Sequence, residues 1–418
     1  MLNPRVAVAQ LGARRHYQQP LLFHKWGILE TLYTDFYAEN IPMFSLFRQP
    51  SIINKLPNTV KKALDRYEPE LNGAKIIYFP RFGYQFPRKL RSAKPQGLYS
   101  SILIWASQEF SKRILERGLG NANVIYGFNG ASLELFKYAK QKGIRCILDQ
   151  TLAERSLVHK LFLEEENLWP GWSNPPFAVN ECDLELSQRE QQEQDLADHI
   201  ICGSQFVKDS LKDRGVQENK VSVVSLGRVK EGQLSQDISQ RITRKERGDG
   251  LRVLFAGEVG LRKGIPYLLE ALKQIKGKIP FTCKIAGGIN IRSERVAEYS
   301  DICDFLGRVP RSSMVELYSW ADVFVFPSIC EGSAMVIYEA LTWGLPVITT
   351  YNSGSIVRDT VDGCIIPIRD STTLANELIK MYDNNTFLVK TDLTNHMLSI
   401  YEANKLKFYT SVINFDSK

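Results

Sequence analysis

The sequence has no apolar run near the roughly 20 residues that a membrane-spanning helix needs. A helical membrane protein is therefore not expected. The opening MLNPRVAVAQLGARR lacks a basic segment followed by a long apolar stretch, so no signal peptide is expected either. No C-x-x-C occurs. The 7 cysteines are odd in number and scattered, which points to a reducing cytoplasmic setting with neither disulfides nor zinc. The 5 histidines are isolated from one another and no D-x-D triplet occurs, so no dedicated metal site is expected. G-x-G-x-x-G is missing as well, and with it the usual dinucleotide fingerprint.

What is present fits a two-domain globular protein. A chain of 418 residues is too long for one ordinary core, and its apolar and charged fractions are 44% and 24%. Charge is uneven. Residues 1–120 hold 18 Lys and Arg against 8 Asp and Glu, whereas the whole chain is only +7. Such a basic N-terminal part is either a solvated surface or a face for an anionic acceptor or anionic membrane. Nothing in it points to nucleic acid.

The most informative stretch is residues 323–350, VFVFPSICEGSAMVIYEALTWGLPVITT. Val323 to Phe326 read as a strand stopped by Pro327, and Glu331 and Gly332 as a loop. Ser333 is placed to N-cap a helix whose first turn is Ala334, Met335 and Val336. Gly344 and Pro346 end that helix, and Val347 to Thr350 form the next strand. A helix N-terminus presents unpaired N–H groups and partial positive charge, which suits a pyrophosphate. Glu339 shares the helix face of Met335 and Val336. Two carboxylates, Glu331 and Glu339, thus flank an anion seat, and carboxylates accept from sugar and ribose hydroxyls.

EGSAMVIYEALTWGLPVI, with its Glu331–Glu339 spacing, resembles the signature of the retaining, nucleotide-sugar-dependent glycosyltransferases of family 4. The resemblance implies an α/β GT-B fold, two Rossmann-like domains facing across a cleft, with a C-terminal helix crossing back. It implies transfer of a hexose-type sugar from a nucleotide-diphosphate sugar donor to a saccharide or lipid-linked acceptor. Retention of configuration, no metal and no cofactor beyond the donor substrate are part of the same implication. Surface-polysaccharide or glycolipid synthesis at the inner face of the cell membrane is the expected setting.

In the first half, RVAVAQL (5–11) reads as a buried strand ending at Gly12, which permits close backbone approach to a ligand. Arg14, Arg15 and His16 follow, and LGARRHYQQPLLFHKWGILETLY reads as a loop running into a helix. Residues 40–120 are irregular, and FPRFGYQFPRKLR (79–91) is either an anion- or membrane-facing segment or a loop packed on the domain. Residues 98–118 read as a helix, 123–130 as a strand, 131–143 as a helix and 144–151 as a strand. That strand ends in Asp149 and Gln150, near where the family commonly has a sugar-contacting histidine. Asp149 or Gln150 replaces it, or Asp149 caps the next helix. Residues 163–176, with two Trp, read as an exposed loop suited to an acceptor. Residues 180–197 read as an acidic helix, and 197–216 as a strand followed by a Ser204-capped helix.

The expected domains are 1–229, a linker 230–250, 251–393, and a returning helix 394–418. The second domain opens on LRVLFAGEVGLRKG, where Arg262 and Lys263 suit a diphosphate, one as a fork and one as a point charge. Gly257-Glu258 replaces a Gly-Arg pair frequent in the family, so Arg262 takes over that charge. By the same resemblance, Arg308 and Val309 in GRVP meet the nucleobase, and Ala334 replaces a family glycine. A GT-B nucleotide-sugar epimerase and a non-catalytic nucleotide-sugar-binding module are the alternatives.

Overall fold

The computed structural model describes residues 4–40, 44–47, 49, 52, 56–93, 96–225, 250–310, 313–383, 403–408 and 410. The expected linker 230–250 and most of the expected returning helix 394–418 lie outside them. Contacts divide the chain into two compact units. One is built on Met1–Gln150 and Val179–Ile201, the other on Thr151–Ala178 and Cys202–Asn414.

The first sheet has the order β3-β2-β1-β4-β5-β6-β7. Its strands are β1 (Val6–Gln10), β2 (Leu29–Thr34), β3 (Ile76–Tyr78), β4 (Val124–Phe128), β5 (Arg145–Gln150), β6 (His199–Cys202) and β7 (Val221–Val223). β1 pairs in parallel with both β2 and β4. β1 and β4 are buried along their whole length, as strands covered by helices on both faces must be. The second sheet has the order β10-β9-β8-β11-β12-β13. Its strands are β8 (Leu251–Ala256), β9 (Phe281–Ala286), β10 (Asp304–Gly307), β11 (Val323–Phe326), β12 (Val347–Thr350) and β13 (Gly363–Ile366). Its five strand pairings are all parallel. In both sheets the chain moves outward on one side and then returns to the other side of the first strand. The switch falls between β1 and β4 in one and between β8 and β11 in the other. That is where open α/β sheets bind ligands, beyond the carboxyl ends of the strands.

Three expectations are corrected. LETLYT is strand β2, not the end of a helix: the helix stops at Lys25, and Trp26 and Gly27 turn the chain back. Residues 79–91 are neither loop nor irregular. They form helix Pro80–Ser92, with Pro87 inside it and Phe82 and Phe86 buried. The pair Trp169 and Trp172 is no exposed acceptor contact. Trp172 is 4% exposed, and both rings pack edge-on to each other, with Trp169 against Tyr267. Indoles this large gain most by joining the core of the second unit.

Glu193 holds the turn after β4. Its carboxylate accepts the N–H groups of Gly130 at 2.6 Å, Ser132 at 2.7 Å and Leu133 at 3.1 Å, where helix Leu133–Gln141 begins. Complete burial, and then the adjacent Glu190 carboxylate, push its carboxyl up to about 8 against the pull of those donors. Between the ordinary value of 4.5 and about 8, the folded chain keeps a proton that the unfolded chain releases. Stability contributed here therefore falls as pH rises through that window, by up to about 1.4 kcal/mol per pH unit. The Tm of the wild type is expected to drop between about pH 6 and 8 by more than that of Glu193→Gln. A wild-type Tm no more pH-dependent than the variant's contradicts this assignment.

Candidate active site

The second unit's site is built on loops that follow strand ends. After β8, Leu261–Lys263 form a 3-10 turn that hands the chain to helix Ile265–Ile275. After β11, Ser328 to Ala334 lead into helix Met335–Thr342. These two loops flank the β8/β11 switch point and meet on one carboxylate. Glu331 Oε1 accepts from Arg262 Nη1 at 3.1 Å, from Lys263 Nζ in a short ion pair, and from Ser328 Oγ at 3.2 Å. The Glu331 and Lys263 side chains are 12% and 11% exposed, and that of Arg262 is 35% exposed. Burial holds the Lys263 ammonium below the usual lysine range, and Glu331 opposes that shift. Lys263 Nζ also sits 5.0 Å over the Phe326 ring. Burial, then Glu331, push the neighbouring Cys330 thiol up to about 12, so it is inert near neutral pH.

Backbone bonds hold the β11 loop. Glu331 N donates to Asn352 O at 2.8 Å, and Asn352 Nδ2 returns to Ile329 O at 2.9 Å. Ser204 Oγ donates to Gly332 O at 2.6 Å. Gly332 packs so closely that a Cβ would lie 1.8 Å from Thr151 O, so no other residue fits without moving the backbone. Ser204 also accepts from Val207 N, the cap expected for helix Gln205–Asp213.

Ser333 does not cap the next helix. The N-cap is Ala334, whose methyl has nothing to offer a backbone N–H, and helix Met335–Thr342 begins one residue later than expected. Ser333 Oγ instead meets Tyr338 OH at 3.0 Å, and that hydroxyl also meets Ser225 Oγ. Met335 is 42% exposed at the helix start, while Val336 is half-buried. Glu339 lies on the same helix and accepts from Tyr318 OH at 3.0 Å. Arg308 and Val309 follow β10. Arg308 is exposed, and a Cβ on Gly288, just past β9, would lie 3.0 Å from its Nε. Glu258 is exposed after β8. Arg262, Lys263, Arg308, Val309, Gly332, Ser333, Ala334 and Glu331 thus all follow carboxyl ends of one parallel sheet, and Met335, Val336 and Glu339 lie on the helix that follows.

The first unit contributes different chemistry. Gly12 follows β1, and its N–H donates to Asp35 Oδ1 at 2.9 Å. Arg14 stacks its guanidinium 5.4 Å from the centre of the Phe128 ring. Asp149 is fully buried. Its Oδ2 accepts from Gln19 Nε2 at 3.1 Å and Tyr126 OH at 2.7 Å. Gln150 accepts from Gln194 at 3.1 Å. Neither caps the next helix: Glu154 does, accepting from Leu157 N. Ser328, Asn352 and the Ser204 strap were missed by sequence reasoning. Ser328 shares the loop of Glu331, while Asn352 and Ser204 come from other loops that no local spacing links to it. Among the described residues no group of three His, Cys, Asp or Glu side chains is placed to hold a metal ion.

Two parallel α/β sheets, each with a switch point, and an ionic seat at the second of them make up a GT-B architecture. Residues 250–384 match the Glycosyl transferases group 1 family. The solved Anabaena HepE in complex with UDP-glucose superposes with a TM-score of 0.56, at 14% identity, over 98% of this chain and 100% of that one. That likeness concerns the fold. An uncharacterized 41.2 kDa protein in the cps region of Klebsiella pneumoniae is 23% identical over 227 residues, 49% of this chain and 62% of that protein. The capsular polysaccharide biosynthesis glycosyltransferase CapM of Staphylococcus aureus is 27% identical over 207 residues, 46% of this chain and 53% of its own length. The aligned stretches thus span little more than half of these curated relatives.

A buried cation that loses its partner is costly, whereas losing both partners costs less. Glu331→Gln is expected to destabilise the protein by about 3 kcal/mol, and Glu331→Gln with Lys263→Met by clearly less. Denaturant titration of the two variants checks this. A double variant less stable than the single contradicts the ion pair as described.

Proposed function

We propose that the protein moves a hexose-type sugar from a nucleotide-diphosphate sugar to a saccharide or lipid-linked acceptor, with retention of configuration and without a metal, in surface-polysaccharide or glycolipid synthesis. One observation carries this reading: Arg262 and Lys263 converge on Glu331 at the switch point of a group 1 domain. The capsular name of one relative and the UDP-glucose bound by one structural neighbour support the substrate class.

The proposed chemistry is an exchange of partners. An arriving diphosphate competes with Glu331 for Arg262 and Lys263, joined by the N–H groups at the start of helix Met335–Thr342. Glu331, released from part of its pairing, accepts from sugar hydroxyls. Glu339 exchanges the Tyr318 hydroxyl for the ribose hydroxyls, and Arg308 and Val309 border the nucleobase. As the glycosidic bond to the donor breaks, negative charge grows on the departing phosphate. Cations already fixed there lower that barrier without reorganising. The departing phosphate takes the acceptor's proton in a front-side attack. Asp149 enters as a positioning residue that orients Gln19 and Tyr126, because it is fully buried. Residues 1–120, rich in cations, face the acceptor and the anionic inner surface of the cell membrane.

A thermal-shift series with UDP-, GDP- and ADP-sugars, each with and without EDTA, tests the donor reading. One nucleotide class is expected to raise Tm, EDTA to leave the shift unchanged, and Glu339→Ala to abolish it. Lys263→Ala is expected to lower kcat by about 10²–10³-fold, the cost typical of losing one charge-stabilising donor. Absence of a shift with every nucleotide sugar overturns the reading, and loss of activity in EDTA overturns metal independence.

A further inference from the structure

The first unit contains a cavity of about 840 Å³ that the donor chemistry does not use. Phe36, just past β2, and Pro80, Gly83, Tyr84 and Pro87 of the helix that follows β3 form part of its wall. Val60 and Ala63 of helix Asn58–Leu64 line it as well. It therefore lies beyond the carboxyl ends of β2 and β3, where an open α/β sheet places ligands. Helix Pro80–Ser92 can approach that end because residue 83 is glycine. A Cβ there would lie 2.4 Å from Asp35 O.

Three arginines line the cavity, and they differ in charge balance. Arg66 is neutralised inside the protein by Asp35, which it grips through both terminal nitrogens, one at 2.7 Å, while its guanidinium lies 5.5 Å from the Phe36 ring centre. Arg88 and Arg91 are exposed and one helical turn apart. Among the described residues, no carboxylate pairs with either. Among the described residues Arg91 bonds the Pro87 carbonyl of its own helix, through Nε at 3.2 Å, and its terminal nitrogens take no partner there. Beside this cationic edge the wall is apolar and open to solvent, with Tyr84 67% and Val60 39% exposed. A phosphate alone would leave that wall and most of the volume unused, because cavities of roughly 300–1,000 Å³ take drug-sized groups.

We infer that this cavity binds a phosphate monoester carrying an apolar chain, a lipid phosphate, with Arg88 and Arg91 on the phosphate and the Phe36, Val60 and Pro87 side taking the start of the chain. Calling this molecule the acceptor rests on the glycosyltransferase reading. Its binding to the first unit does not.

The test uses the full chain and calorimetric titration with decyl phosphate below its micelle threshold, decanol and inorganic phosphate. Decyl phosphate is expected to bind at least about 10-fold more tightly than either fragment. The variant Arg88→Ala with Arg91→Ala is expected to weaken it by about 10-fold or more, since charge-assisted bonds to phosphate are the strong ones. Both positions are exposed, so an unchanged Tm confirms that the variant is folded. Inorganic phosphate binding as tightly as decyl phosphate, or a double variant that binds as well as wild type, overturns the inference. Liposome flotation separates the two sources of an anion. Capture by neutral vesicles doped with a monoester lipid phosphate, but not by those doped to equal charge with the phosphodiester phosphatidylglycerol, is expected, and equal capture by both overturns recognition of the phosphate monoester. Nucleotide-sugar thermal shifts run on the same samples keep a failure here distinct from a failure of the donor reading.

Discussion

An ammonium group in the turn between a β-strand and a helix, nine-tenths buried, needs an anion beside it. Lys263 has Glu331, and the local design of the second unit follows from that pairing. Desolvation disfavours the charged lysine, and the carboxylate supported by Ser328 and Arg262 offsets the cost. The β11 loop must then be held where Glu331 can reach, which Asn352 and Ser204 accomplish through backbone carbonyls. A carboxylate held by two cations is also a placeholder for a better anion. The same force that stabilises the loop creates a site for diphosphate.

The first unit solves an analogous problem with another balance. Asp35 and Arg66 cancel inside it, and Asp35 also takes the Gly12 N–H. Glu193 ties the turn after β4 through three backbone donors. Both carboxyl groups serve internal bonding at strand ends, so they settle loop shape. Arg88 and Arg91, which no carboxylate among the described residues pairs with, stand at the surface on helix Pro80–Ser92. One unit thus buries its ionic chemistry in a three-residue cluster, and the other presents it at the edge of an apolar cavity.

Reading by periodicity succeeded where strands are wholly buried and helices are long. β1, β4, β5, β8 and β11 were legible as short β-branched runs, and helices Gln96–Arg117 and Glu181–Leu196 as apolar-faced or capped segments. It failed at β2 and β3. LETLYT carries a polar residue at every second or third place, and IIY is three residues long, so neither outweighs its neighbours until β1 is there to pair with. Pro87 disguised a helix, and Trp169 and Trp172 passed for exposed residues because burial of an indole depends on partners far along the chain, Tyr267 and Tyr299.

The sequence by itself determined the two α/β units, the strand-to-helix turns after β8 and β11, and the identities of Arg262, Lys263, Glu331 and Glu339. These follow from local pattern and from residue chemistry that no fold alters. Tertiary structure alone decided that both cations meet Glu331, that Ser333 turns to Tyr338 instead of capping its helix, and that Arg66 is cancelled by Asp35 while Arg88 and Arg91 stand exposed on their helix. Each of these depends on which distant strand ends the sheet brings together, because a charge is free or spent according to its neighbours in space.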